Sequence, residues 1–183
     1  YLMVGCKPWD KEMFDAVLGH LPEWAYVEDR GSLGRALGAD PAFRYIFFIH
    51  WSWRVPDSIL ESHECIGFHM TDLPYGRGGT PLQNLILQGR HVTTLTAFRM
   101  TYEMDAGPIY LQNPLSLEGT AQQIYERAAA LACGMALEIA NTNPPIVPRE
   151  QVGTAVAFKR RTPEESKVGG ERGVHIGSVA ALY

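Results

Sequence analysis

The stretch Tyr45-Ile46-Phe47-Phe48-Ile49 is a continuous apolar run, rich in β-prone residues, that follows the turn-like pair Asp40-Pro41. A run of this kind is typical of a strand that is buried on both faces of a parallel sheet. On its amino-terminal side, residues 2–6 and 24–27 predict two further strands. The apolar residues between them recur at helical spacing from Met13 onward, which predicts a surface helix.

The same alternation of strands and helices continues on the carboxyl side. A short helix from Val55 precedes a strand over 64–68, and a β-branched strand is predicted over 92–100. We therefore expect an α/β, Rossmann-like fold, with a mostly parallel sheet flanked by helices. Further elements are predicted by two capping boxes and by shorter patterns: Thr80-Pro81-Leu82-Gln83, Thr120-Ala121-Gln122-Gln123, a helix or loop over 31–37 and a strand over 156–158.

Composition limits the class of protein. The 183 residues are 46% apolar and 20% charged, which fits one globular domain. The net charge of −4 gives no indication of a nucleic-acid partner. Three widely spaced cysteines argue against a disulfide framework, and no apolar run approaches the roughly 20 residues that span a bilayer. We expect a cytoplasmic protein with no membrane segment.

Two residues in this pattern are candidates for acid–base chemistry. His69 follows the predicted strand over 64–68, at the sheet edge where ligands bind in parallel α/β folds. Asp105 lies in a loop after the next strand, and a carboxylate beside an imidazole fixes its tautomer and stabilises its charged form. The residues alone leave two other interpretations open, a structural histidine and a turn aspartate that bonds its own backbone.

The surrounding motif resembles that of the formyltransferase family. Its parts are His69-x-x-x-Leu73-Pro74-x-x-x-Gly78-x-x-Pro81, then Gly89, Thr94-x-Thr96 and Met104-Asp105-Ala106-Gly107. The resemblance extends over about residues 2–166 and includes the stretch Arg160-Arg161-Thr162-Pro163-Glu164-Glu165, which is similar to a segment of sugar formyltransferases. Members of the family act on methionyl-tRNA, on glycinamide ribonucleotide or on amino sugars.

The resemblance implies a catalytic domain over 1–166, followed by a linker or the start of a C-terminal extension over 167–183. It implies 10-formyltetrahydrofolate as co-substrate, His69 and Asp105 as catalytic residues, Thr96 in a supporting position and no metal. The acceptor that it suggests is the primary amine of a nucleotide-linked amino sugar. The residues expected to line the folate pocket are Trp51, Ser52, Trp53, Leu73, Pro74, Thr101, Tyr102, Glu103 and Met104.

Gly67 departs from the family pattern, which has an asparagine two residues before its histidine. That amide donates to the developing oxyanion, and removing one such donor costs roughly 100- to 1000-fold in rate. Three consequences remain open. Water or another group, such as Thr71 or His50, replaces the donor; the reaction is slow; or the chain is a weakened module that binds folate or a nucleotide sugar.

Other patterns carry less weight. His63, Cys65 and His69 alternate on one strand face, but three ligands spread over roughly 20 Å cannot meet one zinc ion. The turn Arg77-Gly78-Gly79 and the basic run Lys159-Arg160-Arg161 are candidate anion sites, with a solvated surface as the alternative.

An acceptor on tRNA is less expected, because enzymes of that kind carry a further C-terminal barrel and need a basic surface. The chain stops within an apolar stretch over 174–183, and a longer protein that continues past it is one expectation. That stretch can pack in cis or against a second copy, so a homodimer is another.

Overall fold

The computed structural model describes residues 1–39, 42–162 and 164–166. The predicted turn at 40–41 and the predicted linker over 167–183 lie outside the described residues. The strands are β1 Leu2–Gly5, β2 Ala25–Val27, β3 Ile46–Ile49, β4 Cys65–His69, β5 Tyr75–Gly78, β6 Val92–Arg99, β7 Ile109–Ser116 and β8 Val156–Phe158. The α-helices are α1 Pro8–Val17, α2 Arg30–Ala39, α3 Asp57–Ser62, α4 Pro81–Leu87 and α5 Ala121–Asn141, and a short 3₁₀ turn covers Glu164–Ser166.

The central sheet has six strands in the order β2-β1-β3-β4-β6-β7. The first four strands are parallel, with Gly5 opposite Ile49 and Phe48 opposite Gly67. β6 and β7 complete the sheet in antiparallel orientation. A separate pair, β5 and β8, runs parallel. The predicted α/β fold with a mostly parallel sheet is therefore confirmed.

β3 is buried on both faces, as its apolar sequence predicts. Phe47 and Ile49 belong to the core that contains residues of α1 and α5, whereas Ile46 and Phe48 belong to the core under α2. Side chains alternate along a strand, so the run supplies both cores at once. The segment over 31–37, for which helix and loop were both open, is part of α2.

The two predicted capping boxes have different outcomes. At Thr120, the hydroxyl accepts from the Gln123 amide at 3.2 Å and the Gln123 side chain accepts from the Thr120 amide at 2.8 Å, so that prediction is confirmed. At Thr80 the prediction is wrong, because the residue has φ 51° and its side chain caps no helix amide. Asn84 Nδ2 instead donates to the Thr80 carbonyl at 2.9 Å.

Two strands escape prediction. β7 contains Pro114 and polar residues, yet it pairs with β6 along its length. Proline is tolerated there because β7 is an edge strand. β5 includes two glycines with positive φ, Gly76 and Gly78, which weaken any strand pattern. Across the described ranges, no helix is both long and apolar enough to cross a membrane.

Gly134 gives a test of the packing around α5. It is exposed in the middle of the helix, and a Cβ built there meets no atom within 4 Å. We expect Gly134→Ala to raise the free energy of unfolding by about 0.5–1 kcal/mol, since alanine costs less conformational entropy in a helix. Urea unfolding measures the difference.

The matched substitution is Gly107→Ala, where the Cβ would lie 1.8 Å from the Arg99 carbonyl oxygen. We expect this variant to unfold at a clearly lower urea concentration than the wild type. Equal stability of the two alanine variants would contradict the described path of the loop before β7.

Candidate active site

His69 ends β4 at the carboxyl edge of the parallel strands, where its ring is largely buried. Its Nε2 atom lies 2.7 Å from the Gly76 carbonyl oxygen. Its Nδ1 atom faces Asp105 Oδ2 at 3.7 Å. The predicted imidazole and carboxylate are thus brought together, with a glycine carbonyl on the other side of the ring.

Asp105 is held in a left-handed conformation with φ 53°, which aspartate tolerates better than most residues. Its Oδ2 atom accepts a hydrogen bond from the Gly78 amide at 2.8 Å. Gln151, from the segment after α5, donates to the carbonyl oxygens of both Asp105 and Gly107 at 2.8 Å. The carboxylate is therefore held by β5, and the backbone of its loop is held by Gln151, a residue that no sequence motif indicated.

These contacts limit the proton positions of His69. The short contact to Gly76 assigns a proton to Nε2, since a carbonyl oxygen only accepts. A neutral ring then turns its Nδ1 lone pair towards the Asp105 carboxylate, whereas a ring that carries both protons donates on both sides. The site is arranged so that a proton arriving at Nδ1 meets a negative charge.

Thr96 lies directly opposite His69 in the β4–β6 ladder and is fully buried. Its hydroxyl donates to the Thr71 carbonyl at 2.6 Å and accepts from Gln112 Nε2 at 3.2 Å. Thr96 thus holds the backbone just after His69 rather than the imidazole itself. The Thr71 hydroxyl makes a long contact of 3.4 Å with the carbonyl of Gly76.

The residues predicted to line a folate pocket fall into three segments. Trp51, Ser52 and Trp53 follow β3, and the rings of Trp51 and Trp53 lie edge to face at 4.7 Å. Leu73 is buried beside Phe98, and a cis peptide bond joins it to Pro74. The third segment, residues 101–104, is the exposed loop that leads to Asp105.

Most polar groups of that loop are already bonded. Thr101 bonds the Glu103 carbonyl, Tyr102 bonds Glu61, and Glu103 pairs with Arg77. Two apolar side chains of the surface loops are also open to solvent: those of Trp53 and Met104 are 43% and 70% exposed. Such a surface suits a flat aromatic ligand.

Gly67 faces the side chain of Phe98 from the neighbouring strand β6. A Cβ built on Gly67 would lie 3.0 Å from two ring atoms of Phe98 and 3.2 Å from Met100 Cγ. The space that an asparagine side chain needs is therefore filled by apolar groups. The packing of Phe98 and Met100 against Gly67 thus leaves little room for an added side chain.

Two predicted anion-binding segments lie side by side. β5, which contains Arg77, pairs with β8, and the chain then runs on through Lys159 and Arg160. The Arg161 amide donates to Thr80 Oγ1 at 3.0 Å, and a Cβ on Gly79 would meet Arg160 Cβ at 2.9 Å. The backbone of the basic run thus borders the turn before α4, whereas the Arg77 guanidinium is bonded to Gln151 and Glu103.

The structure is an α/β domain with the His69–Asp105 pair at the carboxyl edge of its parallel strands, the edge at which ligands of such sheets bind. Methionyl-tRNA formyltransferase from Clostridium thermocellum has the same fold, with a TM-score of 0.83 and 34% identity over 94% of this chain and 77% of that one. The chain belongs to the formyltransferase family, which confirms the resemblance. No family model matches it.

Two further relatives show how far the likeness extends. Methionyl-tRNA formyltransferase of Rickettsia massiliae (strain Mtu5) is 30% identical over 128 residues, which are 67% of this chain and 42% of that protein. This chain therefore matches less than half of that relative. The formyltransferase PseJ from Anoxybacillus kamchatkensis, solved with UDP-4,6-dideoxy-4-formamido-L-AltNAc and tetrahydrofolate, shares the fold with a TM-score of 0.62, 16% identity and coverage of 86% of this chain and 84% of that one.

The packing at Gly67 leads to a prediction about the missing amide. We expect Gly67→Asn to lower the free energy of unfolding by about 1–3 kcal/mol through overpacking against Phe98, with no increase in turnover. Combining Gly67→Asn with Phe98→Leu should recover part of the lost stability, relative to Phe98→Leu alone. Thermal unfolding and a turnover assay measure both effects; a large gain in turnover for Gly67→Asn alone would show that the side chain fits.

Proposed function

We propose that the chain transfers a formyl group from 10-formyltetrahydrofolate to a primary amine, through a catalytic domain over residues 1–166. The observation that carries this proposal is the contact of 3.7 Å between His69 and Asp105 at the carboxyl edge of a formyltransferase fold. The amine attacks the formyl carbon, and the folate nitrogen leaves. His69 moves a proton between the two nitrogens, and Asp105 stabilises the charged ring.

Thr96 has a supporting role in this proposal. By fixing the Thr71 carbonyl, it holds the backbone that follows His69 and thereby the direction of the ring. Thr71 and Thr96 are both fully buried, so water does not compete for this hydrogen bond. Thr96 is a positioning residue and does not reach the reacting atoms.

The apolar side chains of the two surface loops support a pterin site on this face. Trp51 and Met100, which border the two loops, pack against the same core. When bound, 10-formyltetrahydrofolate would supply the activated formyl carbon. The proposed folate-lining residues are Trp51, Ser52, Trp53, Leu73, Pro74, Thr101, Tyr102, Glu103 and Met104.

For the acceptor, we favour a nucleotide-linked amino sugar. The position of Arg160 beside Gly79 supports a site for a small phosphate-bearing ligand, and the net charge of −4 disfavours a large polyanion. The 34% identity to a methionyl-tRNA formyltransferase favours a second candidate, an aminoacyl-tRNA. The three cysteines are free, which supports a reducing, cytoplasmic setting for either.

The first test removes the proposed base. We expect His69→Gln to lower kcat by about 10²–10⁴-fold, since a positioned acid–base group contributes that much. Isothermal titration with 5-formyltetrahydrofolate should give an affinity close to that of the wild type. His91→Gln, a change at an exposed histidine, is the matched control. Full activity of His69→Gln would contradict the catalytic role of His69. A wild type that binds no folate would mean that the chain keeps the fold of the family without its co-substrate.

The carboxylate is tested separately. We expect Asp105→Asn to lower kcat by about 100-fold while folate binding changes little, because asparagine tolerates φ 53° and can still accept from Gly78. Single-turnover kinetics measure the rate. Unchanged turnover would mean that Asp105 only shapes the loop.

The acceptor is tested by direct competition. A UDP-linked 4-amino-4,6-dideoxy sugar and methionyl-tRNA are offered to the wild type with the same 10-formyltetrahydrofolate. We expect kcat/KM for the sugar to exceed that for the tRNA by at least about 100-fold, as for substrates that differ in specific polar contacts. The reverse preference would identify the aminoacyl-tRNA as the acceptor.

A further inference from the structure

We propose that His50 is a second catalytic base, which takes a proton from the ammonium form of the acceptor amine before that amine attacks. Asp10 is its positioning residue. This inference rests on the proposed function, because it names a group that the formyl-transfer reaction needs. Neither residue lies in the motif around His69, and they are 40 positions apart in the sequence.

The geometry of the pair is that of a base held by a carboxylate. His50 Nδ1 lies 2.6 Å from Asp10 Oδ1. Trp9 Nε1 also approaches Nδ1, but at 3.4 Å, so the much shorter contact assigns the Nδ1 proton to the bond with Asp10. The lone pair is then on Nε2, the ring nitrogen that a substrate can reach.

Asp10 is held firmly in this position. Its side chain has no exposed surface, and its other oxygen accepts from the amides of Cys6 and Lys7 at 3.2 and 3.1 Å. Burial raises the pKa of the Cys133 thiol, and the negative charge of Asp10 raises it further. A buried carboxylate with three donors is a stable partner for an imidazole that becomes protonated.

The backbone at His50, which bonds Asp10, has a strained conformation. His50 has φ 43°, a left-handed conformation that non-glycine residues adopt at about 1–3 kcal/mol and mainly at functional sites. Its ring lies edge-on to Tyr125 at 5.0 Å between centroids. Within the described part of the chain, Nε2 has no hydrogen-bond partner, and 11% of the side chain is open to solvent.

His50 also lies where a second substrate is expected. It follows β3 and bonds the segment after β1, which is the point at which the strand order reverses. Ligands of open α/β sheets bind at such a point. β3 and β4 pair up to Phe48 and Gly67, and His50 and His69 each come two residues later, at the same end of two neighbouring strands.

The two imidazoles divide the protons of the reaction. An acceptor R–NH₃⁺ gives one proton to His50 Nε2, and the N–H electron pair stays on nitrogen. The amine then attacks, the new C–N bond forms, and the carbonyl π pair moves to oxygen. When that pair returns, the bond to the folate nitrogen breaks, and His69 passes the second amine proton to it. The products are a formamide, tetrahydrofolate and one proton, which His50 releases to solvent.

Other titratable groups that lie near His50 and Asp10 in the described part of the chain include Cys6, Tyr125 and Tyr26. Cys6, whose thiol donates to the His50 carbonyl at 2.9 Å, lies in the loop after β1, and Tyr125 comes from α5. Tyr26 on β2 lies beside Asp10, and burial followed by the Asp10 charge raises its pKa. Asp10 therefore supplies the one carboxylate in direct contact with the ring among the described residues.

The test measures kcat/KM of His50→Gln against pH, with 10-formyltetrahydrofolate and the acceptor that the wild type formylates, the UDP-linked amino sugar or methionyl-tRNA. We expect a loss of about 100-fold near pH 7, where a primary amine is largely protonated. The loss should shrink to less than about 10-fold near pH 9.5, where solution has already removed the proton. Asp10→Asn should show a smaller loss with the same pH dependence, and His20→Gln, at an exposed histidine, should match the wild type.

The outcomes separate the two proposals. A wild type that formylates neither acceptor overturns the proposed function, and this inference with it. An active wild type with a His50→Gln deficit that is equal at all pH values, or absent, overturns the inference alone. Folate binding by His50→Gln, measured with 5-formyltetrahydrofolate, should equal that of the wild type; its loss would assign His50 to the folate pocket and contradict the base role.

Discussion

The parallel register of β1, β3 and β4 is the constraint on which the rest of the structure depends. β3 is apolar on both faces, so a slip of one residue would exchange the side chains of two separate cores. The cost of such a slip fixes the ends of the three strands relative to one another. Because they stop together, Cys6, His50 and His69 come off one edge of the sheet, and groups that are distant in sequence become neighbours.

β6 runs antiparallel to its neighbour β4, and this change of direction determines how the chain reaches Asp105. Since β6 runs antiparallel to β4, it ends at Arg99 beside the start of β4, far from His69. The chain must return across the sheet before it can present Asp105. The same strand places Phe98 against Gly67. β6 therefore determines both the path of the chain towards Asp105 and the small space left beside Gly67.

Much of the fold could be predicted because its signals are local. The run at 45–49 and the box at Thr120 each identify an element from adjacent residues. β7 could not, since Pro114 is acceptable only on an edge strand, and the edge is a property of the whole sheet. In the site, a motif indicated His69 and Asp105. The His50–Asp10 pair depends on one backbone angle at His50, which no residue pattern encodes.

Gln151 connects the proposed catalytic loop to the segment that follows α5. Its amide holds the Asp105 loop by two carbonyl oxygens, and its own oxygen accepts from Arg77. The segment after α5 therefore links β5 to the loop that contains Asp105. A fragment that ends with α5 would keep every strand of the central sheet. It would nevertheless lose the two hydrogen bonds by which Gln151 holds the Asp105 loop.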